Sequence, residues 1–515
     1  MINEIIYFLI LVILATFAIS FIQSLILSGL GSDQSVHIFL ANVIKENNYK
    51  LFVKVPRIIN DSFCGGYPLF MHWVLAIIGI NKIKYIEIFL NPIINALIII
   101  VVAVVIIIEV DFLIFEICLL FALTPQFYHA FSARNFGISA RSLGILLFLL
   151  MCIFNFFFIQ NDNYIYFTLG VICSYLIWGT STFALQAKVF ISFLLGFIFN
   201  EWTLLIIFLC SGISFFILHP KYSLSYIWHT IRFSYTYSSK LAKIFILDRR
   251  KSIWLDLFFY FYVKLHNENI KKSFQYIYEN PIIIIFFFNI SIPLFLLSFF
   301  YNSPNNNYPF FIEYSFKLTF AGVLLFIFTS FKKTRFLGEP ERYIEIISPF
   351  SITFMAYYIL QQSHNIFWLI IIYYISVNIL QILITFFIKK ELSTRKEKII
   401  IIANIIKKFK KDNEINFTSN NDEILKYFQI YKWHFARYWS YEEKFCGYLI
   451  DEAFIKFPFI KTNVIEKVVI NCNINILLFD KINSDRNNLF ENEPLLKNKL
   501  KVLFQDEQFI LYQID

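Results

Sequence analysis

The sequence predicts a mainly α fold: a polytopic bundle of about eleven transmembrane helices, closed by a small C-terminal soluble α/β domain. Three observations carry that expectation. Hydrophobic residues fill 58% of the 515 positions, with 65 phenylalanines and a mean hydropathy of +0.63, well above the share usual in soluble domains. Apolar runs of bilayer-crossing length recur from the N-terminus to residue 388. Beyond residue 388 the pattern changes to a Lys-rich stretch and then to short alternating or apolar runs.

Residues 5–29 are apolar apart from a few Ser, Thr and Gln, and an α-helix needs about 20 residues to cross a bilayer. The span lacks a basic flank before it and many more spans follow, so it reads as retained rather than as a cleaved signal. Further runs fall near residues 84–108, 112–128, 142–160, 163–180, 183–199, 202–218, 281–301, 311–331, 344–361 and 365–388, each a span by hydropathy. The first loop, 30–83, holds two shorter candidates. Residues 33–48 place Val36, Phe39, Leu40 and Val43 at helical spacing, and the run 67–80 is too short to cross. Both read as helices lying along the membrane surface.

Residues 219–280 carry ten Lys or Arg against four Asp or Glu, interleaved with Tyr, Phe and Trp; such a segment suits a lipid headgroup layer. The expected division is therefore a membrane module over 1–388 and a soluble α/β domain over 389–515, where Val464 to Asp480 and Lys501 to Ile514 read as strand-bearing. Counting spans puts the first loop and the basic segment on the same face of the membrane. With a cytosolic N-terminus, that face is the outside.

Composition also narrows the chemistry. The seven cysteines are scattered without a CxxC pair, so neither a disulfide framework nor a zinc site is expected. No Gly-rich phosphate loop stands in the right context, which argues against a soluble nucleotide-sugar or ATP site. No cofactor and no nucleic-acid partner are expected.

Polar clusters gather at span ends. Asp33 and His37 lie four residues apart, one turn of the predicted surface helix, so both side chains can reach one ligand. Asp33 could equally serve as a helix-starting cap. Tyr67, Pro68 and His72 follow. Arg134 and Arg141 flank a span; a guanidinium fork suits a phosphate, while positive-inside anchoring explains the same residues. Gln186 and Lys188 interrupt an apolar stretch after Phe183, and Lys188 could snorkel to the interface or meet a phosphate. The run Leu337-Gly338-Glu339-Pro340-Glu341-Arg342-Tyr343 is the densest polar group among the late spans, readable as a charge network or as a charged loop with a helix-starting Pro340.

Taken together, these residues resemble the GT-C glycosyltransferases, polytopic enzymes that use polyprenyl-phosphate sugars. The likeness rests on Asp33 just after the first span, two surface helices in the first loop, and the late Glu341-Arg342-Tyr343 motif. More closely, Asp33, His37, Tyr67-Pro68, His72, Arg134, Arg141, Phe183-Ala184-Leu185-Gln186 and Leu337 to Tyr343 look like bacterial members linked to surface polysaccharide synthesis. Many relatives carry an acidic pair in the first loop, but Gln34 follows Asp33 here, leaving Asp61 or no second acid, which argues against a metal-dependent variant.

The resemblance implies an integral protein of a bacterial inner membrane with an extracytoplasmic active site. Asp33 would be the general base, with His37 orienting it or touching the acceptor. Arg134, Arg141, Lys188 and Arg342 would hold the donor phosphate. Tyr67, His72, Gln186, Glu339, Glu341 and Tyr343 would position substrate or cations, since an acid beside a departing phosphate repels it. Expected partners are a polyprenyl-phosphate sugar, a glycan or lipid-linked acceptor, and membrane lipids. The rival readings are a flippase for lipid-linked glycans and a polysaccharide polymerase or ligase.

Overall fold

The computed structural model describes residues 2–30, 32–51, 54–59, 68–79, 82–110, 114–124, 138, 140–241, 289–301, 308–409, 411–438, 444–481 and 499–514. The chain divides into two compact units. One comprises Met1–Gly29, Lys84–Pro220 and Ser252–Ile388, and the other Leu30–Ile83, Lys221–Lys251 and Lys389–Asp515.

In the first unit every apolar run of the sequence carries a helix: Ile2–Leu27, Ile83–Glu109, Ile114–Leu123, Ala140–Asn161, Tyr164–Thr180, Thr182–Phe199, Thr203–Leu218, Ser291–Tyr301, Phe310–Thr329, Pro340–Gln362 and His364–Phe409. Among the described residues, seven of them are long and apolar enough to cross a membrane, and Ile114–Leu123, Tyr164–Thr180 and Thr203–Leu218 are shorter apolar helices. Exposed Ile, Leu and Val residues run along their outer faces, as at Ile206, Leu209, Ile213 and Ile217. That apolar exposure at helical spacing is the signature of a lipid-facing surface, and the chain is an integral membrane protein.

The Pro340–Gln362 helix is the centre of this unit, buried from Arg342 to Leu360. It packs against the helices Ile114–Leu123, Ala140–Asn161, Thr182–Phe199, Ser291–Tyr301 and Phe310–Thr329. Its buried Ser348 and Thr353 donate to the carbonyls of Glu345 and Pro349 in their own helix, so hydroxyls sit in the core without an unpaired donor. Polar side chains also tie spans together: Asn95 Nδ2 donates to Ser20 Oγ at 3.0 Å, Asn155 Nδ2 to Tyr314 Oη at 3.0 Å, and Asn378 Nδ2 to the Leu123 carbonyl at 2.7 Å. In an apolar medium such bonds favour one helix register over others.

Among the described residues, the second unit contains the nine strands β1 (Asn416–Ser419), β2 (His434–Phe435), β3 (Lys444–Phe445), β4 (Tyr448–Leu449), β5 (Phe454–Lys456), β6 (Phe459–Ile460), β7 (Ile476–Asp480), β8 (Leu500–Gln505) and β9 (Phe509–Ile514). Five form a mixed sheet in the order β2-β1-β7-β9-β8, parallel across β2, β1 and β7 and antiparallel from β7 to β8. The central β7 is buried along its whole length, as expected of a strand covered on both faces. The structure also brings together two of the scattered cysteines. The Cys446 thiol hydrogen-bonds with Cys472, and that bond together with burial pushes it well above the ordinary thiol value.

The first loop folds with this sheet. Its helices are Ser32–Glu46 and Phe70–Ile78, close to the two surface helices the sequence suggests. Ile59 N donates to the Phe435 carbonyl at 3.0 Å and Phe435 N donates to that of Arg57 at 2.7 Å, which adds a short parallel bridge at Ile58 beside β2. The helix Asp422–Phe428 packs on Ser32–Glu46. Of the basic segment 219–280, the described part is the helix Pro220–Thr236 and the turn Tyr237–Leu241, and Leu241 is buried in the core of the sheet domain. The two units divide at Ile388/Lys389, within the continuous helix His364–Phe409, and the first loop groups with the tail.

Candidate active site

Two polar constellations emerge, one in each unit. In the membrane unit the site is built at the start of the Pro340–Gln362 helix. Glu339 is its N-cap residue in extended conformation and Pro340 opens the first turn, a position where the missing N–H is harmless. Arg342 then lies three residues after Glu339 and three before Glu345, so the three share a stripe. Arg342 Nε donates to Glu339 Oε2 at 3.1 Å and Nη1 donates to Glu345 Oε1 at 2.6 Å. Arg342 is 9% exposed, so these charges are largely shielded from water that would screen them.

Phe183 supplies the floor. Arg342 Cζ stands 4.8 Å from its ring centroid and Arg141 Cζ stands 5.4 Å from it, so two cations share one aromatic ring. Close helix packing makes this possible. A Cβ at Gly144 would lie 2.9 Å from Ser181 Cβ and 3.1 Å from Ala184 Cβ; without one, the Ala140–Asn161 helix can press against the start of Thr182–Phe199 and deliver Arg141, one turn earlier, to Phe183. Ser181 caps that helix by accepting from Ala184 N.

Gln186, three residues after Phe183 and on its face, reaches the loop that precedes Arg342. Gly338 has φ +133°, and a Cβ there would meet Gln186 Oε1 at 3.1 Å and Tyr343 Oη at 3.3 Å. Only glycine suits both the backbone and the space. The Tyr343 hydroxyl donates to the Leu337 carbonyl and pins the same loop. Arg141, Gln186, Glu339, Arg342 and Tyr343 are thus brought together, with Phe183 and Glu345 added by the fold. Glu341, in the first turn, lies off the Glu339–Arg342–Glu345 stripe.

Lys188 takes a different direction, because five residues of helix turn it away from Phe183. It is fully buried, its Nζ donates to the Ser174 carbonyl at 2.9 Å, and it stands 4.9 Å and 5.1 Å from the Trp178 and Phe208 rings. Snorkelling to the interface is therefore excluded. The ammonium is held in an aromatic cage among the Tyr164–Thr180, Thr182–Phe199 and Thr203–Leu218 helices.

In the second unit, Asp33 sits in the first turn of the Ser32–Glu46 helix and His37 follows one turn later. His37 Nδ1 lies 2.8 Å from His72 Nε2, and His72 Nδ1 lies 3.1 Å from the Pro68 carbonyl. Both rings are buried. Burial, with His37 adding to it, holds His72 well below the ordinary imidazole value of 6.5. Tyr67 and Arg134 lie outside the described residues, and for Asp33 the backbone alone is described.

Glu345 is the residue that sequence reading passed over, and Phe183 entered it only within the Phe183-Ala184-Leu185-Gln186 run, without a role of its own. The Glu339-x-x-Arg342-x-x-Glu345 spacing was the available signal for the first. Nothing local marks Phe183, whose role comes from packing across two helices.

The fold and these clusters define a class first: a polytopic membrane protein with polar sites at span ends and an α/β domain built around its first loop. The solved structure of ArnT from Cupriavidus metallidurans, bound to undecaprenyl phosphate, has this fold. It matches over 99% of this chain and 98% of that chain, with a TM-score of 0.57 at 10% sequence identity. No family model and no curated protein matches the chain.

Proposed function

We propose that this chain is a GT-C-type membrane glycosyltransferase that moves a sugar from a polyprenyl-phosphate donor to a glycan, lipid or protein acceptor in cell-surface polysaccharide or glycoconjugate synthesis. The observation that carries the reading is the full-length fold likeness to ArnT, a protein whose structure holds undecaprenyl phosphate. The Arg141–Phe183–Arg342 stack adds a chemical reason, since guanidinium groups held by an aromatic ring and carboxylates are preorganised cations.

In this reading Asp33 takes the proton of the acceptor hydroxyl as the acceptor oxygen attacks the anomeric carbon, and the bond from that carbon to the donor phosphate breaks. Arg342 and Arg141 stabilise the departing lipid phosphate, with Arg134 as a further cation. Arg342 is one cation between two carboxylates, so Glu339 and Glu345 fix its direction while Arg141 supplies the additional positive charge. Gln186, Tyr343, Tyr67, His72 and Glu341 shape the substrate surroundings. The active site faces the extracytoplasmic side of a bacterial inner membrane.

The test is transfer from labelled polyprenyl-phosphate hexose and pentose donors in membranes containing wild type or Asp33→Asn, with lipid-linked and free glycans as acceptors. Transfer by wild type that falls at least a hundredfold in Asp33→Asn, at equal protein level, supports the reading. Unchanged transfer in the variant removes Asp33 from the mechanism.

A further inference from the structure

Cys446 and Cys472 come from different elements, and backbone hydrogen bonds fix the position of each. Cys446 and Gly447 form the two-residue turn between β3 and β4, closed by the pairing of Phe445 with Tyr448. Both turn residues have positive φ, 48° and 87°, as tight hairpin turns require. Asn, Asp or Gly fills such a position most easily, and a cysteine there is uncommon. Its side chain therefore needs a reason that turn chemistry does not supply. Cys472 is the C-cap of the helix Thr462–Asn471, and its N–H donates to the Val468 carbonyl at 3.0 Å.

The hairpin lies on this helix end. Lys467 Nζ stands 5.3 Å from the centroid of the Tyr448 ring and hydrogen-bonds with that side chain. Cys446, Tyr448 and Cys472 all pack against the hydrophobic core that contains Phe445, Val468 and Val469. Across this contact the Cys446 thiol hydrogen-bonds with Cys472. Both cysteines are half-buried, and their neighbours Gly447, Asn471 and Asn473 are exposed, so a soluble oxidant can reach the pair.

We infer that Cys446 and Cys472 are a disulfide site, whose bond closes the segment 446–472 and staples the β3–β4 turn to the end of the helix Thr462–Asn471. The oxidant is a disulfide, protein or small molecule. The thiolate of one cysteine attacks it and releases one of its sulfurs as a thiol; the thiolate of the other then attacks the mixed disulfide and releases the second. The pair gives up two protons and two electrons, and the oxidant takes them up as two thiols. In the cell the inference rests on the proposed extracytoplasmic placement of this unit, because such bonds persist in oxidising compartments. It is independent of the sugar chemistry.

The test has two arms, and transfer activity enters neither. In the first, the purified full chain in lipid nanodiscs is reduced, equilibrated with oxidised and reduced glutathione, alkylated and mapped by mass spectrometry, beside Cys446→Ser and Cys472→Ser. Wild type should yield a peptide link between Cys446 and Cys472 that both variants lack. Reducing it should lower the unfolding midpoint by about 5–10 °C and leave the variants unchanged. No link, or a link from either cysteine to Cys64 instead, overturns the site. A link that lowers the midpoint is a bond the native geometry does not accept, and overturns it as well.

In the second arm, cells are treated with a permeant alkylating agent before lysis, and an impermeant maleimide reads the face of Lys50→Cys, an exposed position of the same unit. The linked peptide together with labelling from outside is the expected result. Free thiols at both positions with labelling from outside overturn the bond as a feature of the protein in the cell. Free thiols with labelling only from the cytosolic face contradict the extracytoplasmic placement and, with it, the bond in the cell, while the first arm still decides the site.

Discussion

Arg342 is the residue on which most geometry converges, held by Glu339, Glu345 and the Phe183 ring. Arg342→Ala removes the cation that the half-buried Glu339 and the buried Glu345 share and should destabilise the protein by about 3 kcal/mol, measurable as a lowered unfolding midpoint in detergent. Arg342→Lys keeps the charge but not the planar fork, so stability should change less while transfer falls by roughly tenfold or more. Equal loss of both would contradict a role in the reaction. The Glu339–Arg342 pair and Gly338 were legible in the sequence because the relevant spacing is local. The stack on Phe183 was not, since nothing within a single helix reports which ring a neighbouring span will present. A second expectation concerns acid. Burial holds His72 below 6.5, burial and Arg232 push His229 down to about 4, and burial and Arg57 lower His434. All three belong to the second unit. Below about pH 6.5 the unfolded chain takes up protons that the folded unit refuses, so stability falls as pH drops and levels off once the folded-state values are passed. Unfolding of that unit followed by hydrogen exchange should show protection lost on acidification; protection that rises instead would contradict the burial of these rings.

At the scale of elements, the apolar runs proved the most readable feature, because about 20 consecutive apolar residues have few other uses. Their ends were less legible. Within the run 112–128 the described helix is Ile114–Leu123, and the hydropathy drop at Lys389 falls inside the helix His364–Phe409. Lys, Glu and Arg form helices well, so the drop marks a change of surroundings and not of backbone. The pairing of helices depends on small residues that composition hides. A Cβ at Gly322 would lie 2.6 Å from Cγ2 of Ile347 and 2.8 Å from its Cγ1, at the contact of Phe310–Thr329 with the central helix. Gly322→Leu should therefore force the two helices apart and cost about 1–3 kcal/mol, and Ile347→Ala should relieve part of that cost. No interaction between the two substitutions in a double-mutant cycle would contradict the contact.

Whole-molecule topology follows from connectivity. Segments 30–83, 221–251 and 389–515 form one unit, so an even number of crossings must separate them. Among the described residues six apolar helices stand between the first and second segments and four between the second and third; three in each interval are long enough to cross a membrane, so an even number requires shorter helices to complete the crossings. Lys50→Cys and Asn471→Cys, both at exposed positions, should react with an impermeant maleimide from the same face of sealed vesicles; labelling from opposite faces would contradict the unit. The central claim, that this fold transfers sugar from a lipid phosphate, is tested most directly with purified protein in detergent, where no two sides exist to move a lipid between. With a labelled polyprenyl-phosphate sugar and a glycan acceptor, free polyprenyl phosphate and glycosylated acceptor should appear in equal amounts and both should fall with Arg342→Lys. Neither product in detergent, with protein-dependent movement of lipid-linked glycan across intact vesicles, would show a flippase instead.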